Sequence, residues 1–450
     1  MTTRRRVLFV TQSHNIWGGM EQWLHKFTLW LQTNTEWDVR VALPRGRKFN
    51  DPDAFLRAHS HMTPVILDVR VGTETVRVNR IARAIAALDA DLVVPIATGD
   101  VIAAVAKAKA RGSRVRFLQP IRALVPELLA NTLDAWPVID GVVSISRLFH
   151  RFFEAHLRDD PERLHYVRHG SRPPVVAHSQ TGATLRLGFV GRIEPEMKRV
   201  FDLVPFIDAV ARRGADAEVH VFGSGPAEGE LRSRLAPSPL AVMFHGYKTQ
   251  DELYRDAYPN IDVALLFSGS GEGTPNAICE AMQYGAVPVI SRYPGQAGER
   301  YVMHGRNGLT FAIGDVESAA GLVTQLANDR ALLERLSNQA RRDVESDTDV
   351  RMHRDWLAIF EKTLSLPQKR GSISRPSREE YGRLNRMVPS SIADALRGAL
   401  HRYYPHQDGW GEWPGTTPVA RERLDQIVAE LDAIDQADQR AMHDAYTSPQ

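Results

Sequence analysis

The most restrictive feature of the chain is an alternation of two kinds of segment, which runs from residue 5 to about residue 360. Short apolar runs rich in β-branched residues alternate with longer amphipathic stretches, a pattern typical of βαβ units in a parallel sheet. The alternation breaks at the polar residues 177–184 and then restarts. We therefore predict an α/β fold with two doubly wound sheets. The predicted strands are 7–11, 39–43, 65–67, 92–96, 116–118, 141–144, 185–190, 218–222, 242–245, 261–267 and 287–291.

These strands set the predicted domain boundaries within the 450 residues. Residues 1–176 are predicted to form an N-terminal Rossmann-like domain, and residues 177–345 a C-terminal Rossmann-like domain. Residues 346–366 form a C-terminal helix that crosses back. Residues 367–450 are a linker and an accessory helical tail, so the chain has two domains and an extension.

The tail is predicted to combine a linker with two helices. The polar, Pro-containing residues 366–377 indicate the linker. Apolar residues beyond it recur at helical spacing, which predicts two helices with the apolar residues on one face of each. They are Ile392, Leu396, Ala399, Leu400 and Tyr403 in the first helix, and Ile427, Leu431 and Ile434 in the second. We interpret Trp410 and Trp413 as packing against a helix, with stacking on a sugar ring as the alternative.

Composition excludes several classes of protein. With 43% hydrophobic and 24% charged residues, the chain resembles a globular protein and not a disordered one. Its single cysteine, Cys279, cannot form an intrachain disulfide, and no run of about 18 apolar residues predicts a membrane span. Residues 1–172 hold 25 Lys and Arg against 17 Asp and Glu, a net charge of +8. We therefore expect a cytoplasmic protein whose first half faces something anionic, or nothing.

The strongest functional motif is residues 261–291, which reads as strand, glycine-rich turn, helix and strand. Thr274 is predicted to cap the helix, with Pro275 at its first position. The free amides of Asn276 and Ala277 then favour an anion at the carboxyl edge of the sheet. Glu272 and Glu280 lie eight positions apart, so both can flank one ligand. The alternative is a capping carboxylate and a solvated helix surface.

Two further segments place candidate ligand-binding residues just after a strand, at the carboxyl edge of the sheet. In residues 185–204, Arg192 leaves a strand and Lys198 precedes the next helix, so both cations can converge on one cleft. The alternative is solvated surface charge. In residues 218–235, Gly223 and Gly225 follow a strand, but their spacing is not the dinucleotide fingerprint.

The string EGTPNAICEAMQYGAVPVI resembles the Glu-x7-Glu segment of the family 4 retaining glycosyltransferases, which have the two-Rossmann GT-B fold. In that family the first acid and the amides after it contact the donor sugar, and the second acid holds the ribose. The resemblance implies that Glu272 and the following segment bind sugar and phosphate, and that Glu280 binds ribose. The donor-binding residues in that segment are Gly273, Thr274, Pro275, Asn276 and Ala277.

The resemblance extends to other loops. Arg192 and Lys198 match the cations that clamp the donor diphosphate, although a residue other than glycine follows Lys198. Gly223 and Gly225 match a segment that lies below the nucleotide, and Tyr247 begins a segment that walls the base. The resemblance implies that residues 1–176 form the acceptor side and that residues 177–345 bind the nucleotide sugar. It places the pair Gly18 and Gly19 over the donor phosphates, reaching across from the acceptor side.

One departure from the family concerns the acceptor side. Many relatives carry a histidine after the fourth or fifth strand of the first domain, where this chain has PIATGD and FLQPIR. Asp100, Gln119, Arg122 and His14 are the candidates to replace it, and the sequence does not choose among them.

The resemblance implies a retaining hexosyltransferase that uses a nucleoside-diphosphate sugar and a saccharide or lipid-linked acceptor, in bacterial envelope polysaccharide or glycolipid synthesis. Arg192, Lys198 and Glu272 are the predicted catalytic residues. The Asp-x-Asp sequences at 51–53 and 89–91 do not follow strands, so we expect no metal and no other cofactor. The sequence allows peripheral membrane association and predicts no nucleic-acid partner. The alternatives are a same-fold epimerase or sugar phosphorylase, or a non-catalytic sugar-binding or assembly protein.

Overall fold

In a computed structural model, the chain divides into two compact units, each built on one parallel sheet. The first unit comprises residues 1–144, 153–166 and 353–429, and the second comprises residues 145–152, 167–352 and 430–450. The predicted class, α/β with two doubly wound sheets, is confirmed. The structure describes residues 4–96, 98–174, 176, 178, 182–269, 272, 274–373, 384, 387–402 and 412–447.

The first unit has a seven-stranded sheet in the order β3-β2-β1-β4-β5-β6-β7, in which every pair is parallel. Its strands are β1 Arg6–Thr11, β2 Asp38–Arg45, β3 Pro64–Asp68, β4 Leu92–Ile96, β5 Arg116–Ile121, β6 Gly141–Ser144 and β7 Leu164–Tyr166. Its helices are α1 Gly19–Asn34, α2 Pro52–Ala58, α3 Glu74–Leu88, α4 Asp100–Ala110, α5 Pro126–Asp134 and Ser390–Ala399, with 3-10 turns at Trp136–Val138 and Pro161–Arg163.

The order of the first sheet places a topological switch point between β1 and β4. The chain leaves β1 toward β2 on one side, and β4 pairs with β1 on the other side. Residues 7–10 of β1 are fully buried, because helices cover both faces of a parallel sheet. Ligands of such folds bind outside the carboxyl ends of the strands at this point.

The second unit has a six-stranded parallel sheet in the order β10-β9-β8-β11-β12-β13. Its strands are β8 Leu185–Val190, β9 Ala217–Phe222, β10 Val242–Gly246, β11 Val263–Leu266, β12 Val287–Ser291 and β13 Leu309–Phe311. Its helices are α7 Leu203–Arg212, α8 Glu228–Leu235, α9 Gln250–Glu252, α10 Asn276–Gln283, α11 Gln296–Glu299, α12 Val316–Asn328 and α13 Arg330–Val344, with a π turn at Leu253–Ala257 and 3-10 turns at Val200–Asp202 and Tyr258–Asn260.

Three helices carry the chain across the boundaries of the units: α6 Arg147–His156, α14 Asp349–Ser365 and the C-terminal helix Arg421–Thr447. The predicted boundaries differ from this division. Residues 145–152 and 167–176 group with the second unit, and the predicted tail contributes residues to both units. Among the described residues, we find no helix with the length and apolar character needed to cross a membrane.

Residues 366–373, the described part of the predicted linker, form neither helix nor strand and are hydrogen-bonded to the first unit. The Gln368 side chain donates to the carbonyls of Ser113 and Val115 at 3.0 and 2.8 Å, and the Lys369 amide donates to Asp140 at 2.8 Å. These bonds attach the segment to the first unit. Residues 374–383 lie outside the described part of the chain.

The two predicted tail helices are present, at Ser390–Ala399 and Arg421–Thr447, but the first does not bury its apolar face. Ile392, Leu396 and Leu400 are exposed, whereas Asp394 and Arg397 are buried. Asp394 accepts a 2.9 Å hydrogen bond from the Thr73 hydroxyl and pairs with Arg397, and these polar contacts orient the helix. Ile427 and Leu431 of the C-terminal helix are buried, while Tyr403 and Trp410 lie outside the described residues.

Candidate active site in the second unit

Three glycine-containing loops interlock at the carboxyl edge of the second sheet. The Gly223 amide donates to the Gly246 carbonyl at 2.8 Å. Gly223 has a φ of 136°, and a Cβ there would overlap the Gly191 carbonyl oxygen. A Cβ on Gly225 would overlap the Ile193 carbonyl oxygen in the same way. Both predicted glycines are therefore required by the close approach of these backbones, whatever ligand they meet.

The loop after β8 is closed by one buried acid. The Glu194 carboxylate accepts hydrogen bonds from the amides of Glu196, Met197 and Lys198 at 3.1, 3.2 and 2.8 Å. Burial raises the pKa of Glu194, but these amide bonds and the Arg192 charge outweigh it, so its pKa lies below the usual range. Arg192 itself is exposed. The loop is thus held in one conformation, from which Lys198 extends.

Lys198 and Glu272, predicted from two separate motifs, are brought together. The Lys198 ammonium forms an ion pair with the Glu272 carboxylate, and the Ser268 hydroxyl donates to the same carboxylate at 2.5 Å. Ser268 is held in turn by the Ser291 hydroxyl, which donates to its carbonyl at 2.6 Å. Glu272 is only 8% exposed. A cation and an acid therefore meet in a partly desolvated position at the sheet edge, where electrostatic interactions are strengthened.

Arg199 occupies the position at which the family pattern has glycine. It adopts φ 46° and ψ 40°, the left-handed conformation that favours glycine. Its guanidinium pairs with Asp202 at 2.8 Å. The backbone next to Lys198 thus keeps a glycine-like conformation without the glycine.

The start of α10 differs from the prediction. The helix begins at Asn276 with Pro275 as its N-cap, so the predicted cap and first position are each one residue too early. The Thr274 hydroxyl donates to the Ile145 carbonyl at 3.0 Å instead of capping the helix. The Asn276 amide donates to the Thr274 carbonyl at 2.9 Å, so it is not free for an anion. Ala277 lies in the first turn, and Gly273 lies outside the described residues.

Glu280 lies in the middle of α10 and accepts hydrogen bonds from side chains of the segment after β10. Gln250 donates to one carboxylate oxygen and the Tyr258 hydroxyl to the other, both at 2.6 Å. Burial, followed by the Glu280 charge, raises the pKa of Tyr258 well above its usual value, so the hydroxyl stays protonated as a donor. Glu280 is 6% exposed. Its position is fixed and its charge is shielded from bulk water.

Tyr247 follows β10 on the same edge. Its side chain is half-exposed, and Gly246 before it has a φ of 67°. Burial and the Glu252 charge raise the pKa of Tyr247. An exposed aromatic ring in this loop offers a surface on which a planar base can stack.

Gly18 and Gly19 lie in the first unit, where Gly18 is the N-cap of α1. The Gly18 amide donates to the Glu21 carboxylate at 3.1 Å, and the Asn15 side chain donates to the same oxygen at 2.9 Å. A Cβ on Gly18 would meet both of these side chains. Burial raises the pKa of Glu21. The turn is therefore closed by its own acid within this unit.

The four candidates for the missing histidine occupy different environments. Asp100 is buried in an ion pair with Arg77 at 2.6 Å, and the Gln119 amide donates to the Pro120 carbonyl at 3.0 Å. Arg122 lies 4.1 Å from the centre of the Trp23 ring, and burial lowers the pKa of Arg122 to about 10 despite the opposing Glu21 charge. His14 adjoins Asn50 and Glu412; burial lowers the pKa of His14 against the effect of these two neighbours.

Sequence reasoning missed Ser268, Glu194 and Tyr258. Ser268 follows the buried strand β11, so its place at the sheet edge could have been inferred. The role of Glu194 depends on how its loop closes. The contact between Tyr258 and Glu280 joins residues 22 positions apart, and no local pattern marks it.

The chain is similar in sequence and fold to several known proteins. Residues 184–329 match a family model described as glycosyl transferases group 1. An exopolysaccharide phosphotransferase of Streptomyces coelicolor is 24% identical over 235 residues, covering 51% of this chain and 24% of the relative. A lipopolysaccharide 1,6-galactosyltransferase of Salmonella typhimurium is 28% identical over 137 residues, covering 30% of this chain and 37% of the relative. The chain thus matches well under half of the length of these curated relatives.

Two solved structures have a similar fold over most of the chain. The apo form of the lipopolysaccharide outer core galactosyltransferase WaaB is 17% identical with a TM-score of 0.63, covering 79% of this chain and 99% of WaaB. Anabaena HepE in complex with UDP is 18% identical with a TM-score of 0.64, covering 80% of this chain and 100% of HepE. Residues 184–329 are therefore similar to the group 1 glycosyltransferases, and the chain has the GT-B fold.

Proposed function

We propose that this protein is a retaining glycosyltransferase that moves a hexose from a nucleoside-diphosphate sugar to a saccharide or lipid-linked acceptor. The observation that carries the proposal is the Lys198, Glu272 and Ser268 cluster at the carboxyl edge of the second sheet. It lies within the segment that matches the group 1 glycosyltransferases. The same edge holds Glu280 between Gln250 and Tyr258.

The proposed reaction breaks the bond between the sugar C1 and the diphosphate oxygen and forms a bond from C1 to the acceptor oxygen on the same face. The acceptor's proton passes to the departing diphosphate, so no carboxylate nucleophile is needed. Lys198 and Arg192 stabilise the negative charge that develops on the leaving oxygen. Glu272 orients the sugar, and Glu280 accepts hydrogen bonds from the ribose hydroxyls. We propose that these cations make a metal ion unnecessary.

Donor and acceptor are proposed from the relatives. HepE is in complex with UDP, so UDP-hexoses are the first donors to test. The two curated relatives are named for lipopolysaccharide and exopolysaccharide substrates. We therefore propose an acceptor in bacterial envelope polysaccharide or glycolipid synthesis, met in the cytoplasm or at the inner membrane face.

The test is release of nucleoside diphosphate from a panel of donors with oligosaccharide acceptors. Lys198→Ala should lower kcat by roughly 100-fold or more, as expected for a group that stabilises transition-state charge. Lys362→Ala, which removes an exposed lysine on α14, is the control and should retain the wild-type rate. Full activity in Lys198→Ala would contradict the role of this lysine, and an inverted anomeric product would contradict the retaining mechanism.

A second candidate comes from the name of the Streptomyces relative, a phosphotransferase. Transfer of a sugar phosphate would form a bond from the acceptor oxygen to the sugar-bearing phosphorus and break the bond from that phosphorus to the oxygen that bridges the diphosphate. Nucleoside monophosphate would leave, and the acceptor's proton would pass to it. The same assay separates the two reactions by the nucleotide product. An epimerase would convert its donor with no acceptor, and a phosphorylase would require free phosphate.

A further inference from the structure

A backbone loop after β2 surrounds a carboxylate from the far end of the chain. Glu412 accepts hydrogen bonds from four consecutive amides, those of residues 47–50. The distances are 2.5 Å from Arg47, 3.0 Å from Lys48, 3.0 Å from Phe49 and 2.8 Å from Asn50. Successive amides that converge in this way form an anion-binding nest.

The nest is completed by side chains and by a glycine. The Asn50 amide nitrogen donates to the same carboxylate at 3.0 Å, and its oxygen accepts from the Ser13 amide at 3.0 Å. A Cβ on Gly46 would overlap the Glu412 carboxylate. Burial raises the pKa of Glu412, but the amide bonds outweigh it and hold its pKa below the usual range. The loop therefore selects a charged oxyanion and has space for one.

Glu412 belongs to a segment that crosses the ligand-binding edge of the first sheet. We call residues 412–417 the strap. Gln12 after β1 donates to the Trp413 carbonyl at 3.0 Å, and the Gly99 amide after β4 donates to the Pro414 carbonyl at 3.2 Å. Asn131 on α5 accepts from the Thr417 amide at 2.6 Å. The strap therefore lies over β1 and β4, the topological switch point where a doubly wound domain binds its ligand.

We propose that residues 46–50, with His14 beside them, are an anion site for a phosphate or carboxylate group of the acceptor, and that Glu412 is a displaceable occupant of this site. His14 adjoins both Asn50 and Glu412. Residues 1–172 carry a net charge of +8, which attracts such an acceptor. Naming the ligand as the acceptor rests on the proposed function, whereas the anion site itself does not.

The probe is inorganic phosphate, measured by its effect on the Tm of the full chain. Glu412→Ala empties the nest, and Glu412→Gln directs an amide group at the backbone amides, so both should release the strap. At 50 mM phosphate, about ten times a dissociation constant of about 5 mM, the Tm of each variant should rise by roughly 2–4 °C more than the Tm of the wild type rises. The same Tm measurement with sodium acetate tests a carboxylate as the ligand. Sodium chloride at equal ionic strength measures the effect of salt alone on the Tm.

Gly46→Ala in the Glu412→Ala chain is the matched control, because its Cβ fills the anion position. Phosphate should raise the Tm of this double variant no more than it raises the Tm of the wild type. The rise in the double variant measures the effect of phosphate that binds elsewhere on the chain. Equal gains in the wild type, both Glu412 variants and the double variant would overturn the proposal. An extra rise in the Tm of the Glu412 variants with phosphate but not with acetate would identify a phosphate as the ligand group. An extra rise with acetate but not with phosphate would identify a carboxylate. Because no readout requires turnover, a failure of the proposed transferase activity leaves this result interpretable.

Discussion

The Tyr258 hydroxyl donates a 2.6 Å hydrogen bond to the Glu280 carboxylate, and both side chains are buried. The second carboxylate oxygen accepts from Gln250 at 2.6 Å. Two donors from the segment after β10 thus hold an acid that projects from α10. This arrangement fixes the orientation of Glu280 before any ligand binds, which lowers the entropy lost on binding.

Tyr258→Phe should weaken donor binding more than it slows the chemical step. The variant keeps the packed ring but leaves one oxygen of Glu280 without its donor, which should raise KM for the donor by roughly 5–10-fold. Steady-state kinetics against donor concentration measures this. Tyr284→Phe removes a hydroxyl from a neighbouring ring 5.9 Å away and is the control. An unchanged KM with a reduced kcat would contradict the positioning role of Tyr258.

Gly223→Ala should destabilise the second unit. The new Cβ would overlap the Gly191 carbonyl oxygen at a backbone φ of 136°, which a side chain rarely adopts. We expect the free energy of unfolding to fall by about 2–4 kcal/mol, measured by urea denaturation. Gly229→Ala is the matched control, since its Cβ meets nothing within 4 Å and lies in helix α8. That substitution should raise the free energy of unfolding by about 0.5–1 kcal/mol.

Arg199→Gly should be more stable than Arg199→Ala by about 1 kcal/mol. Both variants lose the ion pair with Asp202, so the comparison isolates the backbone. At φ 46° alanine carries a steric penalty that glycine does not. Urea denaturation of the two variants measures the difference. Equal stabilities would mean that the loop leaves the left-handed conformation once the arginine is removed.

Much of the fold follows from local sequence signals. Strands such as Leu92–Ile96 and Leu185–Val190 occur at their predicted bounds, because a buried parallel strand is a continuous apolar run. The edge strands Leu164–Tyr166 and Leu309–Phe311 were not predicted, because a polar residue at the centre of each interrupts the apolar run. Gly285 follows helix α10 with a φ of 88°, the left-handed conformation in which a glycine commonly ends a helix.

The contacts that distant segments make were not predictable. Thr274 satisfies the sequence rule for a helix cap, but its hydroxyl bonds to the carbonyl of Ile145, 129 residues away. The nest around Glu412 joins residues more than 360 positions apart. Local propensity cannot rank such partners, because they are chosen by the tertiary structure. The sequence thus indicates the candidate residues of the site more readily than their partners.

Three histidines on α1 and after α2 form a cluster in the first unit. The Nε2 atom of His59 lies 2.9 Å from the Ile16 carbonyl, which can only accept, so that nitrogen carries the proton. The Nδ1 atom of neutral His59 therefore accepts from Nδ1 of His25 at 2.9 Å. Burial, followed by the charges of His61, His59 and Lys26, lowers the pKa of His25 to about 4.

This cluster should make the protein less stable in weak acid. An unfolded histidine titrates near 6.5, and the folded pKa of His25 is about 4. Between these values the unfolded chain binds more protons, so the free energy of unfolding falls as pH decreases from about 6.5 to 4. After discounting for the half-exposed ring, we expect His25 to contribute about 1–2 kcal/mol of this fall. Urea denaturation at pH 7, 6, 5 and 4 measures this dependence, and the free energy of unfolding should fall less steeply in His25→Gln than in the wild type. His156→Gln removes an exposed histidine and is the control, in which the free energy of unfolding should follow that of the wild type. Parallel curves for His25→Gln and the wild type would exclude His25 as the source.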